Sequence, residues 1–120
     1  MAGVALKAPA RGEVWLVDLD PVVGHEQAKP RPCVILSNDS YNQNGSGLVV
    51  IMPLTTKFRP VDWLIEVTPP EGGLSKISYA IGDQVRTVSH YRLGHKPFGK
   101  VGKTTLAAIE FRLKILLDFE

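Results

Sequence analysis

Glycine and proline interrupt the first two thirds of the chain at short intervals, which leaves little room there for a long helix. The segments between these residues are rich in valine, isoleucine, leucine and tryptophan, a composition typical of β-strands separated by turns. They predict strands at 13–19, 32–38, 48–55, 62–67 and 79–88, and hairpin connections at 42–47 and 69–73. We therefore expect a mainly β body.

The fourth predicted strand shows the clearest pattern of alternation. Trp63, Ile65 and Val67 fall on one face of the strand and Asp62 and Glu66 on the other, so one face is expected to be buried and the other exposed. Trp15 lies in a similar alternating segment. Both tryptophans are therefore expected to face the core rather than to bind a ligand.

The C-terminal segment changes to the spacing of a helix. Its apolar residues fall on one helical face, at Leu106, Ile109, Leu113 and Leu116. Thr104 or Thr105 is expected to cap the start of this helix, and Glu110 and Lys114 are expected to form an i,i+4 ion pair. One amphipathic helix should therefore close the β body.

The length of 120 residues, 44% of them hydrophobic, suits one domain with one core. We expect residues 1–10 to be a disordered tail and residues 11–120 to form the single domain. No stretch approaches the ~18 apolar residues that a membrane span requires, and the first residues do not resemble a signal peptide. No membrane association is therefore expected.

Cysteine occurs once, at Cys33, which excludes a disulfide within the chain. Cys33 lies in the apolar run 33–36, so it is expected to be a core residue and not a nucleophile. With only three histidines to accompany it, a structural zinc site is not expected either. This usage of cysteine fits a reducing, cytoplasmic environment.

Charge is distributed unevenly, although the net charge is only +2. No acidic residue occurs between Gln84 and Ile109, a stretch that contains Arg86, Arg92, Lys96, Lys100 and Lys103. These residues could form a surface that binds phosphates, and they could equally be a solvated basic face.

Several catalytic motifs are incomplete in this sequence. The Gly99-Lys100 pair is followed by Val101, which lacks the hydroxyl that a phosphate-binding loop needs for magnesium. No serine lies in a Gly-x-Ser-x-Gly elbow, and the predicted strand ends lack paired carboxylates for metal-assisted cleavage. No metal or other cofactor is therefore expected.

Arg31 is the strongest candidate for a catalytic residue. It lies between Pro30 and Pro32, and because a residue before proline is pushed out of the helical region, both Lys29 and Arg31 are expected to be extended. A guanidinium on a stiff backbone can be aimed at a phosphate before charge develops there. The alternative is an exposed arginine at the start of a strand. The neighbouring connection at 20–29 is rich in polar groups, as functional loops often are.

Three ordered blocks resemble one known family. They are RGEVWLVDLDPVVGHEQAKPRPCVILSND at 11–39, VVIMPLTTK at 49–57 and DQVRTVSHYRL at 83–93. In this order they resemble the MazF/PemK/Kid family of toxin endoribonucleases. The resemblance implies an SH3-like (CcdB/MazF-type) antiparallel barrel with a C-terminal α-helix and short connecting helices. It also implies a homodimer that cleaves single-stranded RNA at a short sequence and is neutralised by an acidic, partly disordered antitoxin.

The family resemblance assigns roles to individual residues. Arg31 matches the catalytic arginine, and Thr55 matches the catalytic threonine, with Thr56 chemically equivalent beside it. Attack by the RNA 2′-hydroxyl on the adjacent phosphate would leave a 2′,3′-cyclic phosphate and a 5′-hydroxyl. Free arginine keeps its proton at neutral pH because its pKa lies above ~12, so Arg31 suits charge stabilisation better than base catalysis.

The general base is a separate question. His25 matches a histidine of the Kid branch and is either the base or an RNA contact, since histidine titrates near ~6.5. Asp83 matches the aspartate of that branch, but Ile81 stands where the branch has an arginine, so the mechanism does not transfer whole. The residues expected to contact RNA are Glu26, Gln27, Lys29, Thr56, Lys57, Asp83, Gln84 and Arg86. For Asp83, a salt bridge to Arg86 is the simpler alternative.

Two other functions are compatible with the same fold. A related toxin poisons DNA gyrase, but it needs a tryptophan-containing C-terminal tail, whereas this chain ends Leu117-Asp118-Phe119-Glu120. The other alternative is a non-catalytic SH3-like module that binds RNA or protein.

Overall fold

The computed structural model describes residues 8–20, 24–25 and 29–119. The strands are β1 (Glu13–Asp18), β2 (Pro30–Ile35), β3 (Leu48–Thr55), β4 (Leu64–Val67), β5 (Ser78–Ile81), β6 (Arg86–Ser89) and β7 (Gly99–Lys100). The helices are α1 (Asp39–Asn42) and α2 (Lys103–Leu117), with short 3-10 helices at Glu71–Gly73 and His90–Arg92. The predicted mainly β fold with a C-terminal helix and short connecting helices is confirmed.

All strand pairs are antiparallel, in the order β4-β5-β3-β2-β1-β7. The long strand β3 is shared between two partners on one side, because its first half pairs with β6 and its last two residues pair with β5. The sheet therefore curls around β3 into a half-barrel. Its edges β4 and β7 do not pair with each other in the part of the chain that is described.

Each face of the sheet carries its own hydrophobic core. On one face, Met52 and Leu54 of β3 pack with residues of the neighbouring strands and with Ile109 of α2. On the other face, Val49 and Ile51 pack with Trp15 and Cys33. The alternation of side chains along β3 divides them between the two cores. As expected, Cys33 is a buried core residue.

The predicted strand at 79–88 is wrong in one respect, because the segment forms two strands. A turn at Gly82–Asp83 separates β5 from β6. A side chain at Gly82 would place its Cβ 2.5 Å from the carbonyl oxygen of Trp63, so only glycine fits this close approach. The second strand begins at Pro30 instead of residue 32, and β7 was not predicted because a two-residue strand has no periodicity.

Only one of the two tryptophans lies in the core. Trp15 is 4% exposed, as predicted, whereas Trp63 precedes β4 and is 38% exposed. Because β4 begins at Leu64, Trp63 lies in a turn and the alternation of the strand does not reach it. Ile65 and Val67 are buried as expected.

The start of α2 differs from the prediction. Its N-cap is Gly102, and neither Thr104 nor Thr105 is the cap residue. Instead, the backbone N–H of Gly102 and the hydroxyl of Thr105 donate to Glu71 Oε2, at 2.8 and 2.6 Å. A carboxylate from a distant 3-10 helix therefore takes the place of a local cap.

The structure also differs from the prediction in two features of α2, which are the partner of Glu110 and the burial of its apolar residues. Glu110 pairs with Arg11, and the described residues contain no ion pair between Glu110 and Lys114. Of the predicted apolar stripe, Ile109 is fully buried, but Leu116 is 48% exposed. The buried residues of the helix, Thr105 and Ile109, lie in its first half.

The tail predicted at 1–10 falls mostly outside the described residues. Residues 1–7 lie outside the described residues, but Pro9 is buried and its carbonyl oxygen accepts a hydrogen bond from Asn42. The folded body therefore includes Pro9 and Ala10. Among the described helices, none is long and apolar enough to cross a membrane.

Candidate active site

Arg31 lies in β2, where it pairs with Val17 of β1, and its backbone is extended as predicted. The prediction for Lys29 is wrong, because Lys29 has a φ of 66° in the left-handed region. Its backbone N–H donates to Asp20 Oδ1 at 3.1 Å, which holds this unfavourable conformation in place. The chain thus enters β2 through a tight bend fixed by Asp20.

Arg31 and Thr55 come together at the ends of two neighbouring strands. The pairing of Cys33 with Pro53, continued by two residues along each strand, aligns Arg31 with Thr55. In agreement, Arg31 Nη1 lies 3.4 Å from the carbonyl oxygen of Leu54. The guanidinium therefore reaches the end of β3 beside Thr55.

The two adjacent threonines have different surroundings. Thr55 is partly buried, and its Oγ1 accepts a hydrogen bond from the backbone N–H of Lys57 at 3.1 Å. Its hydroxyl hydrogen is then available to donate in another direction. Thr56 is exposed and lies beyond the end of β3. Thr55 is thus the hydroxyl that shares a position in the sheet with Arg31.

Arg86 lies near the same buried thiol as Arg31. Burial raises the pKa of the Cys33 thiol to about 12, while the positive charges of Arg31 and, less strongly, Arg86 oppose this rise. Arg86 is opposite Ile51 in the sheet, and its Nη1 lies 3.4 Å from the carbonyl oxygen of Leu19. Two guanidinium groups therefore lie near the hydrophobic core that contains Trp15 and Cys33.

The basic segment from Gln84 to Ile109 does not form one uniform basic face. Arg86 and Arg92 donate to backbone carbonyls near the end of β1, and the acceptors for Arg92 are Asp18 and Asp20. These two arginines therefore fix the start of the 20–29 connection. Lys96, Lys100 and Lys103 remain exposed.

The other predicted site residues fall into separate groups. Glu26 and Gln27 lie outside the described residues, and His25 and Lys57 are exposed. Gln84 is partly buried, two residues before Arg86. Asp83, by contrast, lines a concave region of about 230 Å³ with Trp63 and the α2 residues Arg112, Ile115 and Leu116. No ion pair links Asp83 to Arg86 in the described chain.

Three further residues beside Thr55 were missed by the sequence analysis. Tyr79 of β5 pairs with Thr55 on one side and with Glu66 of β4 on the other. Phe58 packs against Tyr79, with ring centroids 5.4 Å apart. Tyr79 and Glu66 lie in predicted strands, where aromatic residues are common, and Phe58 lies in the connection between two strands, so no motif singled them out.

Metal-ligating side chains do not cluster in the described part of the chain: residues 8–20, 24–25 and 29–119 contain no group of three or more histidine, cysteine, aspartate or glutamate side chains suited to hold a metal ion. The side chains that lie together at the end of β3 carry guanidinium, hydroxyl and aromatic groups instead.

The geometry defines a class of protein, in which a curled antiparallel sheet presents an arginine and a hydroxyl at the ends of adjacent strands. Among known proteins, this chain is 36% identical over 115 residues to endoribonuclease MazF9 of Mycobacterium tuberculosis, covering 90% of this chain and 95% of that protein. The crystal structure of MazF from Deinococcus radiodurans matches with a TM-score of 0.82 at 24% identity, covering 94% of this chain and 99% of that chain.

A mycobacterial endoribonuclease in complex with its cognate antitoxin matches with a TM-score of 0.74 at 26% identity, covering 96% of this chain and 98% of that chain. The family described as PemK-like, MazF-like toxin of type II toxin-antitoxin system matches residues 10–117. The chain therefore belongs to this toxin family, which confirms the resemblance found in the sequence.

Proposed function

We propose that this protein is a metal-independent endoribonuclease toxin that cleaves single-stranded RNA, with its active site at Arg31 and Thr55. The observation that carries this proposal is the approach of the Arg31 guanidinium to the carbonyl oxygen of Leu54, at 3.4 Å, next to Thr55 at the end of β3. A guanidinium and a hydroxyl together suit a phosphate, because both donate hydrogen bonds to its oxygens. The endoribonuclease activity named for relatives such as MazF9 supports the assignment.

The reaction is an attack by the RNA 2′-oxygen on the adjacent phosphorus. The new bond to the 2′-oxygen forms as the bond to the 5′-oxygen breaks, leaving a 2′,3′-cyclic phosphate and a 5′-hydroxyl. A base takes the proton of the 2′-hydroxyl, and an acid returns a proton to the 5′-oxygen. DNA lacks the nucleophile and is not cleaved.

Arg31 and Thr55 act on the charge that develops at phosphorus. Arg31 stabilises the pentacoordinate phosphate, and Thr55 donates a hydrogen bond to a non-bridging oxygen. Loss of one such donor typically lowers the rate about 10²- to 10³-fold. The partly buried position of both side chains favours this role, because charge interactions are stronger away from bulk water.

His25 is the proposed general base, since histidine is the side chain best suited to exchange a proton at neutral pH. Its exposed position allows it to meet a bound strand. We propose that the RNA is contacted by the other predicted residues, namely Glu26, Gln27, Lys29, Thr56, Lys57, Asp83, Gln84 and Arg86. The concave region beside α2 would bring Asp83 to RNA only if the strand extends around the β5–β6 turn.

The protein is further proposed to work as a cytoplasmic homodimer that an antitoxin neutralises. The end of α2 exposes a group of large apolar side chains, namely Phe111, Ile115, Leu116, Leu117 and Phe119. A contiguous exposed apolar surface of this kind is typical of an interface. An acidic, partly disordered antitoxin would compete with RNA for Arg31 and its basic neighbours, and the related complex with a cognate antitoxin supports such a partner.

The decisive experiment incubates the purified protein with mixed-sequence RNA in EDTA and maps the cut ends. We expect cleavage at a short sequence, with cyclic phosphate and 5′-hydroxyl ends, and no cleavage of DNA. Arg31→Ala should lower the cleavage rate about 10²-fold or more while the far-UV circular dichroism is unchanged, and Lys103→Ala serves as a control for loss of one positive charge. Cleavage that occurs only with added magnesium, or a folded Arg31→Ala protein with full activity, would refute the proposal.

A separate measurement tests His25. If His25 is the base, the cleavage rate rises with pH as His25 loses its proton, and this limb of the pH profile disappears in His25→Ala. A His25→Ala protein with an unchanged pH profile would restrict His25 to RNA binding.

A further inference from the structure

An exposed aromatic pair lies beside the proposed phosphate site. Phe58 is 65% exposed, although phenylalanine in a small domain is usually buried. Its ring contacts the ring of Tyr79 with centroids 5.4 Å apart and planes inclined at 57°. Phe58 therefore does not belong to either hydrophobic core, and its contact with Tyr79 lies at the surface.

The strand register connects this pair to the catalytic candidates. Thr55 is directly opposite Tyr79, and the aligned strands β2 and β3 bring Arg31 to the other side of Thr55. Directly opposite residues in an antiparallel pair have Cβ atoms about 5 Å apart and point to the same face. A nucleotide whose phosphate contacts Arg31 and Thr55 would therefore have its neighbouring base within reach of Tyr79 and Phe58.

Arg31, Thr55, Tyr79 and Glu66 form a row across the sheet, and its two ends carry opposite charges. At one end is the positive charge of Arg31, and at the other end Glu66 is opposite Tyr79 on β4. The exposed Glu66 carboxylate, which accepts a hydrogen bond from Thr68 Oγ1 at 2.8 Å, repels a phosphate but can accept hydrogen bonds from the amino group of a base. The row therefore suits a phosphate at Arg31 and a base at Tyr79.

The surroundings of Phe58 favour nucleic acid over a peptide. Its neighbours in sequence are Lys57 on one side and Arg59 on the other, and both are exposed. Proteins that bind single strands combine positive charges along the nucleic acid backbone with aromatic rings on which bases stack. Phe58, with Lys57 and Arg59 on either side, combines one aromatic ring with two positive charges in the same way.

From these observations we propose that Phe58 and Tyr79 form a stacking platform for the base next to the cleaved phosphate. The proposal rests on the proposed function, because it assumes that RNA is bound with a phosphate at Arg31 and Thr55. It adds two substrate-binding residues, which orient the strand without taking part in proton transfer.

The first test measures binding without cleavage. The probe is a fluorescein-labelled, mixed-sequence 2′-O-methyl RNA, whose blocked 2′-oxygen cannot attack, and the readout is anisotropy. We expect Phe58→Leu to weaken binding about 10-fold or more, which is the scale of one lost base–aromatic stack. Phe58→Tyr should bind like the wild type, because it retains an aromatic ring.

Phe98→Leu provides the matched control. Phe98 is 47% exposed and precedes β7, the edge strand at the far end of the sheet from β4 and β5. Its substitution removes a similar exposed ring and should leave binding unchanged. Equal binding by Phe58→Leu and the wild type would overturn the proposal, as would equal losses in Phe58→Leu and Phe98→Leu.

The second test locates the stacked base. Once the cut sequence is mapped, single bases are removed in turn from a 2′-deoxy-blocked version of it. One abasic position next to the cut should weaken binding to the wild type about 10-fold and should add little further loss in Phe58→Leu. A general disturbance of the loop would instead leave every abasic penalty unchanged, and that result would overturn the platform.

The stacking platform and the endoribonuclease assignment can be refuted separately. If RNA is cut but Phe58→Leu binds normally, the platform is wrong and the endoribonuclease assignment remains. If binding depends on Phe58 but no RNA is cut, Phe58 remains an RNA-binding residue, and the catalytic assignment and the placement of the platform beside a cleaved phosphate are wrong. If antitoxin binding alone depends on Phe58, the ring belongs to a protein interface and the platform is wrong.

Discussion

At the scale of single residues, the adjacent threonines Thr55 and Thr56 provide an internal comparison. Both have the same chemistry, but Thr55 aligns with Arg31 and its hydroxyl is held by the N–H of Lys57 at 3.1 Å, whereas Thr56 is exposed. The sequence alone could not distinguish them, because a shift of one residue exchanges the two faces of a strand.

Thr55→Ala is expected to lower the rate of RNA cleavage about 10²- to 10³-fold, because it removes a hydrogen-bond donor to the phosphate. Thr56→Ala, which removes a proposed RNA contact but no hydrogen bond to the reacting phosphate, should lower the rate at saturating protein far less. The measurement is a single-turnover cleavage assay, with Thr55→Ser as the variant expected to restore activity. Larger loss in Thr56→Ala than in Thr55→Ala would mean that the wrong threonine has been assigned.

Cys33 should be unreactive in the folded protein. Burial raises the pKa of its thiol to about 12, so the reactive thiolate is scarce at any pH well below that value. Iodoacetamide at pH 8 should therefore label the native protein far more slowly than the protein unfolded in urea, where the thiol regains its ordinary pKa. Because this is the chain's one cysteine, mass spectrometry reports it directly. Equal labelling rates would show that Cys33 is accessible and ionised in the fold.

At the scale of elements, local sequence patterns predicted most strands and the C-terminal helix, but not the contacts that join distant elements. Lys29 was expected to be extended because it precedes a proline, yet the hydrogen bond to Asp20 holds it in the left-handed region. Similarly, the cap of α2 comes from Glu71, a residue of another element. Propensity rules do not include such partners.

Glu71→Ala is expected to lower the free energy of unfolding by about 1–3 kcal/mol, because it leaves the N–H of Gly102 and the hydroxyl of the buried Thr105 without their shared acceptor. Thr104→Ala, the matched control at an exposed position of the same helical turn, should change it little. Urea unfolding followed by circular dichroism provides both values. Equal stabilities of the two variants would contradict the role of Glu71.

At the scale of the whole molecule, the family resemblance predicted the fold and the pairing of Arg31 with Thr55 as site residues. The sequence could not show that Tyr79 and Glu66 continue the same row, because that depends on the pairing of β3, β4 and β5. Nor could it show that Asp83 and Gln84, adjacent in the chain, have different surroundings around the β5–β6 turn. The first depends on strand pairing and the second on the turn between β5 and β6.

The exposed apolar end of α2 should mediate self-association. We expect sedimentation velocity to show a dimer at micromolar concentration, and Ile115→Asp to shift the protein to a monomer because a charge would be buried in the interface. Ile77→Asp changes an isoleucine that is similarly exposed but lies outside α2, and it should remain dimeric. A monomeric wild-type protein would contradict this interface.

The length of β3 also has a practical use. Its ends, Leu48 and Thr55, are seven residues apart, or about 23 Å at ~3.3 Å per residue. The turn before Leu48 is exposed over residues 43–47. A fluorophore or surface linker attached in that turn would be carried on the same strand as Thr55 but well away from it, which makes the turn a suitable anchor for observing RNA binding on single immobilised molecules.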